Sequence, residues 1–238
     1  VHQYLESTEY IDWKTPEVLA KAKLLADGAG CAEMVVEKCF LFVRDQIKHS
    51  WDYECDPVTC KASDVLEHGT GYCYAKSHLL AALLRANSIP AGLCYQRLTI
   101  SNDRPPFCLH GLNAVYLENY GWYRIDARGN KEGVSADFCP PVERLAFPII
   151  SDGEADLPEI WAKPIPPVIE VLQGNNTYKE VADNLPDIQL AFATSHCSTA
   201  PALRVCAGQF LSRSFMGKTK SEHGEYISWS FIREQSSS

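Results

Sequence analysis

Gly69-Thr70-Gly71-Tyr72-Cys73-Tyr74-Ala75-Lys76-Ser77-His78-Leu79-Leu80-Ala81-Ala82-Leu83-Leu84-Arg85-Ala86-Asn87 is a glycine-punctuated loop that runs into an apolar helical pattern at a cysteine. Glycine supplies the backbone angles a tight loop needs, and the Leu/Ala run after Cys73 has high helix propensity. The stretch predicts a helix opening at Cys73. The first N–H groups of a helix lack intrahelical acceptors and carry partial positive charge, so this is a position that favours a thiolate nucleophile. A cysteine considered alone is more often a small core residue. The rest of the chain decides between the two readings.

A thiol nucleophile needs a base to handle its proton, and the base needs an acceptor that fixes its ring. Residues 109–117 and 122–126 read as two strands joined by the turn Glu118-Asn119-Tyr120-Gly121. His110 lies near the start of the first strand and Asp126 at the end of the second, so a hairpin brings them to one end, within a residue or two of direct opposition. Either residue alone is weak evidence, since a strand histidine is usually a satisfied core residue and an aspartate before Ala127-Arg128-Gly129 is usually a turn former. The conjunction favours chemistry. The other histidines offer no such arrangement: His49 is read as ending a helix, His68 precedes Gly69, His78 lies within the cysteine helix, and His2, His196 and His223 are terminal or late.

Taken in order, Gly71 and Cys73, then Ala82-Leu83-Leu84-Arg85-Ala86 and Ile89-Pro90-Ala91-Gly92, then His110 leading to Ala114-Val115-Tyr116-Leu117, then Gly121-Trp122-Tyr123-Arg124-Ile125-Asp126, resemble the transglutaminase-like superfamily. The resemblance covers roughly residues 35–150. It implies an α+β, papain-like fold in which N-terminal helices and the cysteine helix pack on an antiparallel sheet, with Cys73, His110 and Asp126 as the catalytic triad. Leu112 departs from the pattern, because many relatives carry an aromatic residue two places after the histidine. Asp126-Ala127-Arg128-Gly129-Asn130 is more similar to an uncharacterised bacterial branch than to the crosslinking enzymes of animals.

Upstream, Thr15-Pro16-Glu17 reads as an N-cap, a proline at the first helical position and an early acid, with Gly28 as the stop. A second helix is expected over residues 32–48, where Val36, Cys39, Phe40, Val43 and Ile47 mark one buried face. A short helix from Ser63 ends at Gly69, and residues 93–100 read as a strand. Asn102-Asp103-Arg104-Pro105-Pro106 reads as a loop. Residues 140–167 are proline-rich and are expected to wrap the surface as extended chain, with a short helix over 168–172. Thr177-Tyr178-Lys179-Glu180 is a capping box for another, ending near Leu185.

The chain has 238 residues, 46% of them hydrophobic, and a formal charge of −8. Such a chain can bury a core of its own and shows no basic stripe, which argues against a nucleic-acid partner. No apolar run approaches a membrane span and no secretory signal is read at the start, so no membrane partner, a cytoplasmic location and reduced thiols are the expectations for its ten cysteines. After residue 188 the composition changes: residues 189–238 hold ten serines and no aspartate, against eight serines in all that precedes them. The expected organisation is a domain over 1–188 and a separate, poorly specified tail over 189–238, where the bacterial relatives commonly end.

The expected activity is thiol-dependent acyl transfer on a peptide, protein or small amide, with hydrolysis favoured over transamidation. Protein-glutamine crosslinking and a non-catalytic scaffold of the same fold are the alternatives. The backbone N–H of Cys73 is the natural first oxyanion donor; Trp51 is weighed as a second but reads better as core, and Asn113 alternates away from His110. Cys55, Cys60, Cys108 and His110 lack the spacing of a structural zinc site, so neither a metal nor another cofactor is expected.

Overall fold

Thr15-Pro16-Glu17 does start a helix, α1 (Pro16–Ala26), in the computed structural model, which describes residues 1–101 and 104–189. The Thr15 hydroxyl makes no cap bond, however, and is buried without a partner, so proline and the early acid carry the start. Helix α2 (Ala32–Gln46) buries Val36, Cys39, Phe40 and Val43 as its periodicity predicts. It ends two residues earlier than expected. The chain then turns into a strand, β1 (Lys48–His49), that pairs in parallel with β2 (Thr70–Gly71). His49 therefore does not end a helix: it lies directly beside Gly71 on the approach to the cysteine.

Between these strands, α3 (Ala62–His68) starts where the Asp64 carboxylate accepts from the Lys61 backbone N–H at 3.2 Å. It stops at Gly69, whose left-handed φ of 64° lets its N–H return to the Val65 carbonyl. Helix α4 (Cys73–Ala86) follows. Every residue from Cys73 to Arg85 is buried, with Leu79, Leu80, Leu83 and Leu84 fully so. A helix apolar on all sides belongs in a centre. Helices α1, α2 and α3 pack on it, and so does the sheet. Even Arg85 is enclosed: its guanidinium donates to the carbonyls of Ala91, Glu6 and Ala162, tying the N-terminus, the sheet and a late segment to the central helix.

The sheet is antiparallel, in the order β5-β4-β3-β8, built from β3 (Ala91–Ser101), β4 (Arg104–Leu117), β5 (Gly121–Ile125) and β8 (Ala155–Asp156). Helices before and around an antiparallel sheet make the fold α+β. Strand β4 begins at Arg104, inside the expected loop, because its first half pairs with β3 down to Arg104 opposite Ser101. The proline-rich region is less uniform than expected: it contains β7 (Val142–Arg144), which pairs with β6 (Asp137–Cys139), and β8, which extends the main sheet. Two helices follow, α5 (Pro166–Gly174) and α6 (Tyr178–Asp183), the latter with the Thr177–Glu180 capping box in place. The expected tail, 189–238, lies outside the described residues except for its first residue. No helix among the described residues is long and apolar enough to cross a membrane.

One local feature of the sheet creates the site. Strand β5 pairs with β4 only from Leu117 back to Asn113, where Ile125 is the last partner. Beyond that point the edge of β4 is open to other acceptors. The next two inward-facing donors on it, Gly111 N–H and Leu109 N–H, are taken by a sulfur and by a distant carbonyl.

Candidate active site

Cys73 is the first residue of α4, and its Sγ accepts the Gly111 N–H at 3.4 Å. The sulfur stands at the edge of β4, where a neighbouring strand's carbonyl would otherwise lie. Gly111 must be glycine for this approach: a Cβ there would meet Tyr74 Cδ1 at 2.9 Å and the Tyr74 backbone at 3.1–3.2 Å. Asn113, on the same face, donates to the carbonyls of Ser77 in α4 and Gly92 in β3, so it serves helix–sheet packing and points away from His110 as its alternation predicts.

His110 is 2% exposed, and its Nε2 lies 2.8 Å from Oδ2 of Asp126, itself fully buried. With Nε2 so engaged, Nδ1 is the nitrogen left for the thiol. Phe147 stands edge-on to the imidazole with centroids 5.0 Å apart, which holds the ring plane. Asp126 also accepts from the backbone N–H groups of Arg128, at 3.1 Å, and Ala146, at 3.0 Å. Burial alone would raise the Asp126 pKa, but the His110 charge and these three hydrogen bonds outweigh it and keep the carboxyl below its usual range. Burial likewise opposes a charged His110, yet Asp126 and Cys73 together push its pKa up to about 9. The three expected residues are thus brought together, in the order thiol, imidazole, carboxylate.

Cys73 and His110 line a cavity of about 10 Å³ with His49, Tyr72, Arg128 and Leu185, room for roughly one water. Two of these residues were not anticipated. His49 is 5% exposed, edge-on to Tyr72 with centroids 5.5 Å apart, and burial followed by the charges of Arg128, Lys76 and Lys131 holds its pKa well below the ordinary histidine value. It is a neutral ring. Its Nδ1 is 3.5 Å from Asp52 Oδ2, too poorly aligned for a hydrogen bond. The signal that could have found it is the pairing of Lys48-His49 with the dipeptide Thr70-Gly71 just before the cysteine, which no single-segment period reveals.

Arg128, 2% exposed, is clamped by Asp52 through Nη1 at 2.7 Å and Nη2 at 3.1 Å, and Lys131 Nζ joins the same carboxylate at 2.6 Å. His49 also borders a second cavity of about 340 Å³, lined by Arg44, Asp52, Lys76 and Lys131 among others. Lys76 is buried with its ammonium on the Ile47 and Arg44 carbonyls; burial, aided by Arg128, brings its pKa down to about 7.

Trp51 does not line the Cys73 cavity; its ring packs on Tyr178, centroids 5.9 Å apart. Cys55, Cys60, Cys108 and His110 do not converge, and no group of three or more His, Cys, Asp or Glu among the described residues is arranged to hold a metal. No disulfide occurs among the described residues.

A thiol at a helix start, an imidazole on the adjoining strand and a buried carboxylate beyond the hairpin define a Cys-His-Asp arrangement on an α+β frame. Residues 23–127 match the model of the transglutaminase-like superfamily. Among solved structures, the chain resembles a cysteine-protease candidate from Cytophaga hutchinsonii at 20% identity and a TM-score of 0.43, covering 54% of this chain and 42% of that one. It also resembles the periplasmic domain of TgpA from Pseudomonas aeruginosa at 16% identity and a TM-score of 0.40, covering 52% of this chain and 45% of that one. The chain therefore spans less than half the length of each of these two neighbours. No curated protein matches.

Proposed function

We propose that the protein is a thiol-dependent acyl-transfer enzyme that acts on amide or peptide bonds, with Cys73 as nucleophile, His110 as acid and base and Asp126 as the residue that orients and charges the imidazole. The observation that carries this is the buried His110–Asp126 contact of 2.8 Å beside a thiol at the start of a helix. A buried carboxylate with three donors holds one tautomer and one orientation of the ring, and it favours the imidazolium that a Cys-His pair needs at neutral pH.

In the first half-reaction the Cys73 thiolate attacks the amide carbonyl carbon, and the developing oxyanion is met by N–H groups at the α4 N-terminus. Collapse of the tetrahedral adduct breaks the C–N bond while the His110 imidazolium delivers its proton to the departing amine. A thioester remains on Cys73. In the second half-reaction His110, now neutral, takes a proton from water as its oxygen attacks the thioester; the acid leaves and the thiolate–imidazolium pair returns. Hydrolysis is favoured over transamidation because water is always present and no second amine site is identified. The test is mass spectrometry of Cys73 after exposure to a peptide and glutamine-amide library. A trapped acyl group, together with iodoacetamide reactivity that depends on His110, is expected; thiols that react uniformly slowly and independently of His110 would exclude the catalytic reading.

A further inference from the structure

The open edge of β4 beside the thiol is already occupied. Leu109 N–H, the donor adjacent to Gly111 N–H on that edge, gives its hydrogen bond to the carbonyl of Pro186 at 2.7 Å. The chain at Pro186 therefore meets the edge of β4 through a backbone bond of the kind an added strand makes, and Leu185 forms part of the wall of the Cys73 cavity. Pro186 is buried. The segment is held at both ends. Downstream, Asp187 is gripped by Arg97 through Nε at 2.7 Å and Nη2 at 2.6 Å, and Arg97 is itself stacked 3.7 Å from the Phe107 ring and bonded to the Gly153 carbonyl. Upstream, the Tyr178 carbonyl accepts from the Tyr72 hydroxyl, and the Tyr178 N–H donates to Asp56. The consequence for the thiol is closure: Cys73 is 7% exposed and shares with Leu185 a cavity of only about 10 Å³.

An amide substrate has to present its carbonyl at Cys73 Sγ, and a cavity that holds one water has no room for it. The backbone donor at Leu109, His49 and the sulfur border one cavity, and the chain at Leu185 and Pro186 occupies its edge with a main-chain carbonyl and a leucine side chain. We propose that this segment is a pseudosubstrate: it occupies the subsite that receives the substrate, which is an extended peptide that pairs with the Leu109 backbone and presents an aliphatic side chain where Leu185 lies. The inference rests on Cys73 being the nucleophile. Reaction requires residues 185–187 to leave the β4 edge, and the substrates that replace them best are those that copy their backbone bond and their side chain.

The experiment is the rate of alkylation of Cys73 by iodoacetamide, followed by peptide mapping, in the full chain and in the variants Leu185→Ala and Asp187→Asn, with thermal melting as a control of folding. Asp187→Asn alters a partly exposed ion pair and leaves the core intact. Both variants are expected to react about fivefold faster at Cys73, the change that follows from removing roughly 1 kcal/mol of holding free energy. In both, acetyl-leucyl-leucine chloromethyl ketone is expected to outpace its glycyl-glycine counterpart by more than it does in the parent. Unchanged Cys73 alkylation in both variants, a rise shared equally by the buried Cys39 and Cys60, or no preference for the leucyl probe overturns the proposal. A His110→Ala change in the Leu185→Ala background separates the two readings: if alkylation is independent of His110 but still accelerated by opening the segment, the catalytic assignment fails while the occlusion stands.

Discussion

His110 and Asp126 are not direct cross-strand partners. Extending the β4–β5 register from Asn113 opposite Ile125 places Asp126 against Leu112, so His110 is two residues along on the same face and the contact between them is diagonal. It reaches 2.8 Å only because the chain leaves the sheet after Ile125 and the Asp126 carboxylate is turned back by the N–H groups of Arg128 and Ala146. The carboxylate is thus fixed by three segments, and its removal has separable effects on charge and on packing.

Asp126→Asn keeps the shape and removes the charge. Since Asp126 is the main group raising the His110 pKa to about 9, the variant's imidazole loses its proton at lower pH. The alkaline limb of kcat/KM is expected near pH 9 in the parent and below it in the variant, with turnover reduced on the order of 100-fold. A pH–rate profile of both proteins checks this. Stability moves in step: His110 has its folded pKa above the unfolded value of about 6.5, so its contribution is complete below that pH and is lost as pH rises through about 9. Chemical denaturation from pH 6 to 10 should show a decline in the parent that Asp126→Asn flattens.

Gly111→Ala tests the approach of α4 to β4. The added Cβ would lie 2.9 Å from Tyr74 Cδ1 and about as close to backbone, so the helix start has to shift. A loss of about 1–3 kcal/mol of stability is expected, with the Gly111 N–H displaced from the Cys73 sulfur. Urea unfolding gives the first quantity. Cys73 alkylation, compared with that of Cys39 in the same sample, reports whether the site has been displaced beyond the general destabilisation.

Acid sensitivity should come from His78. Its Nδ1–H donates to the Cys60 carbonyl at 2.7 Å, its Nε2 is buried without a partner, and burial holds its pKa at about 4. Because the unfolded chain binds the proton first, stability falls as pH drops from about 6.5 to 4, by up to about 3 kcal/mol from this group. His49 acts in the same direction. His78→Asn should reduce the slope of stability against pH between 4 and 6.5 even though it weakens the fold at neutral pH; an unchanged slope would assign the acid lability elsewhere.

Asp52→Ala should be more harmful than an exposed charge change. It strands the Arg128 guanidinium, which is 1% exposed and has Asp52 on two of its nitrogens. Leaving a buried charge unpaired costs about 3–5 kcal/mol. Asp52→Ala combined with Arg128→Met should recover part of that loss, as measured by denaturant midpoint.

The sequence alone was sufficient wherever a signal is local. The Leu/Ala run of residues 79–84 reads as a helix, Gly69 and Pro16 punctuate their helices by backbone geometry, and strand parity places His110 and Asp126 on one face and Asn113 on the other. Periodicity says which face of an element is buried; it does not say what meets that face. For that reason the sequence reads His49 as a helix end and Thr15 as a working cap, whereas the structure pairs His49 with Gly71 and buries the Thr15 hydroxyl unbonded; Trp51, read as a packing residue, does pack on Tyr178.

What the sequence by itself determined, then, is the cysteine helix, the hairpin and the three residues they carry. Tertiary structure decided how accessible that trio is. Strand β5 stops at Ile125 and leaves the Gly111 and Leu109 donors of β4 to other acceptors; one takes the sulfur and the other takes Pro186, more than seventy residues away in the chain. An unpaired backbone donor in a buried place must find an acceptor, and which acceptor it finds depends on the packing of the whole domain.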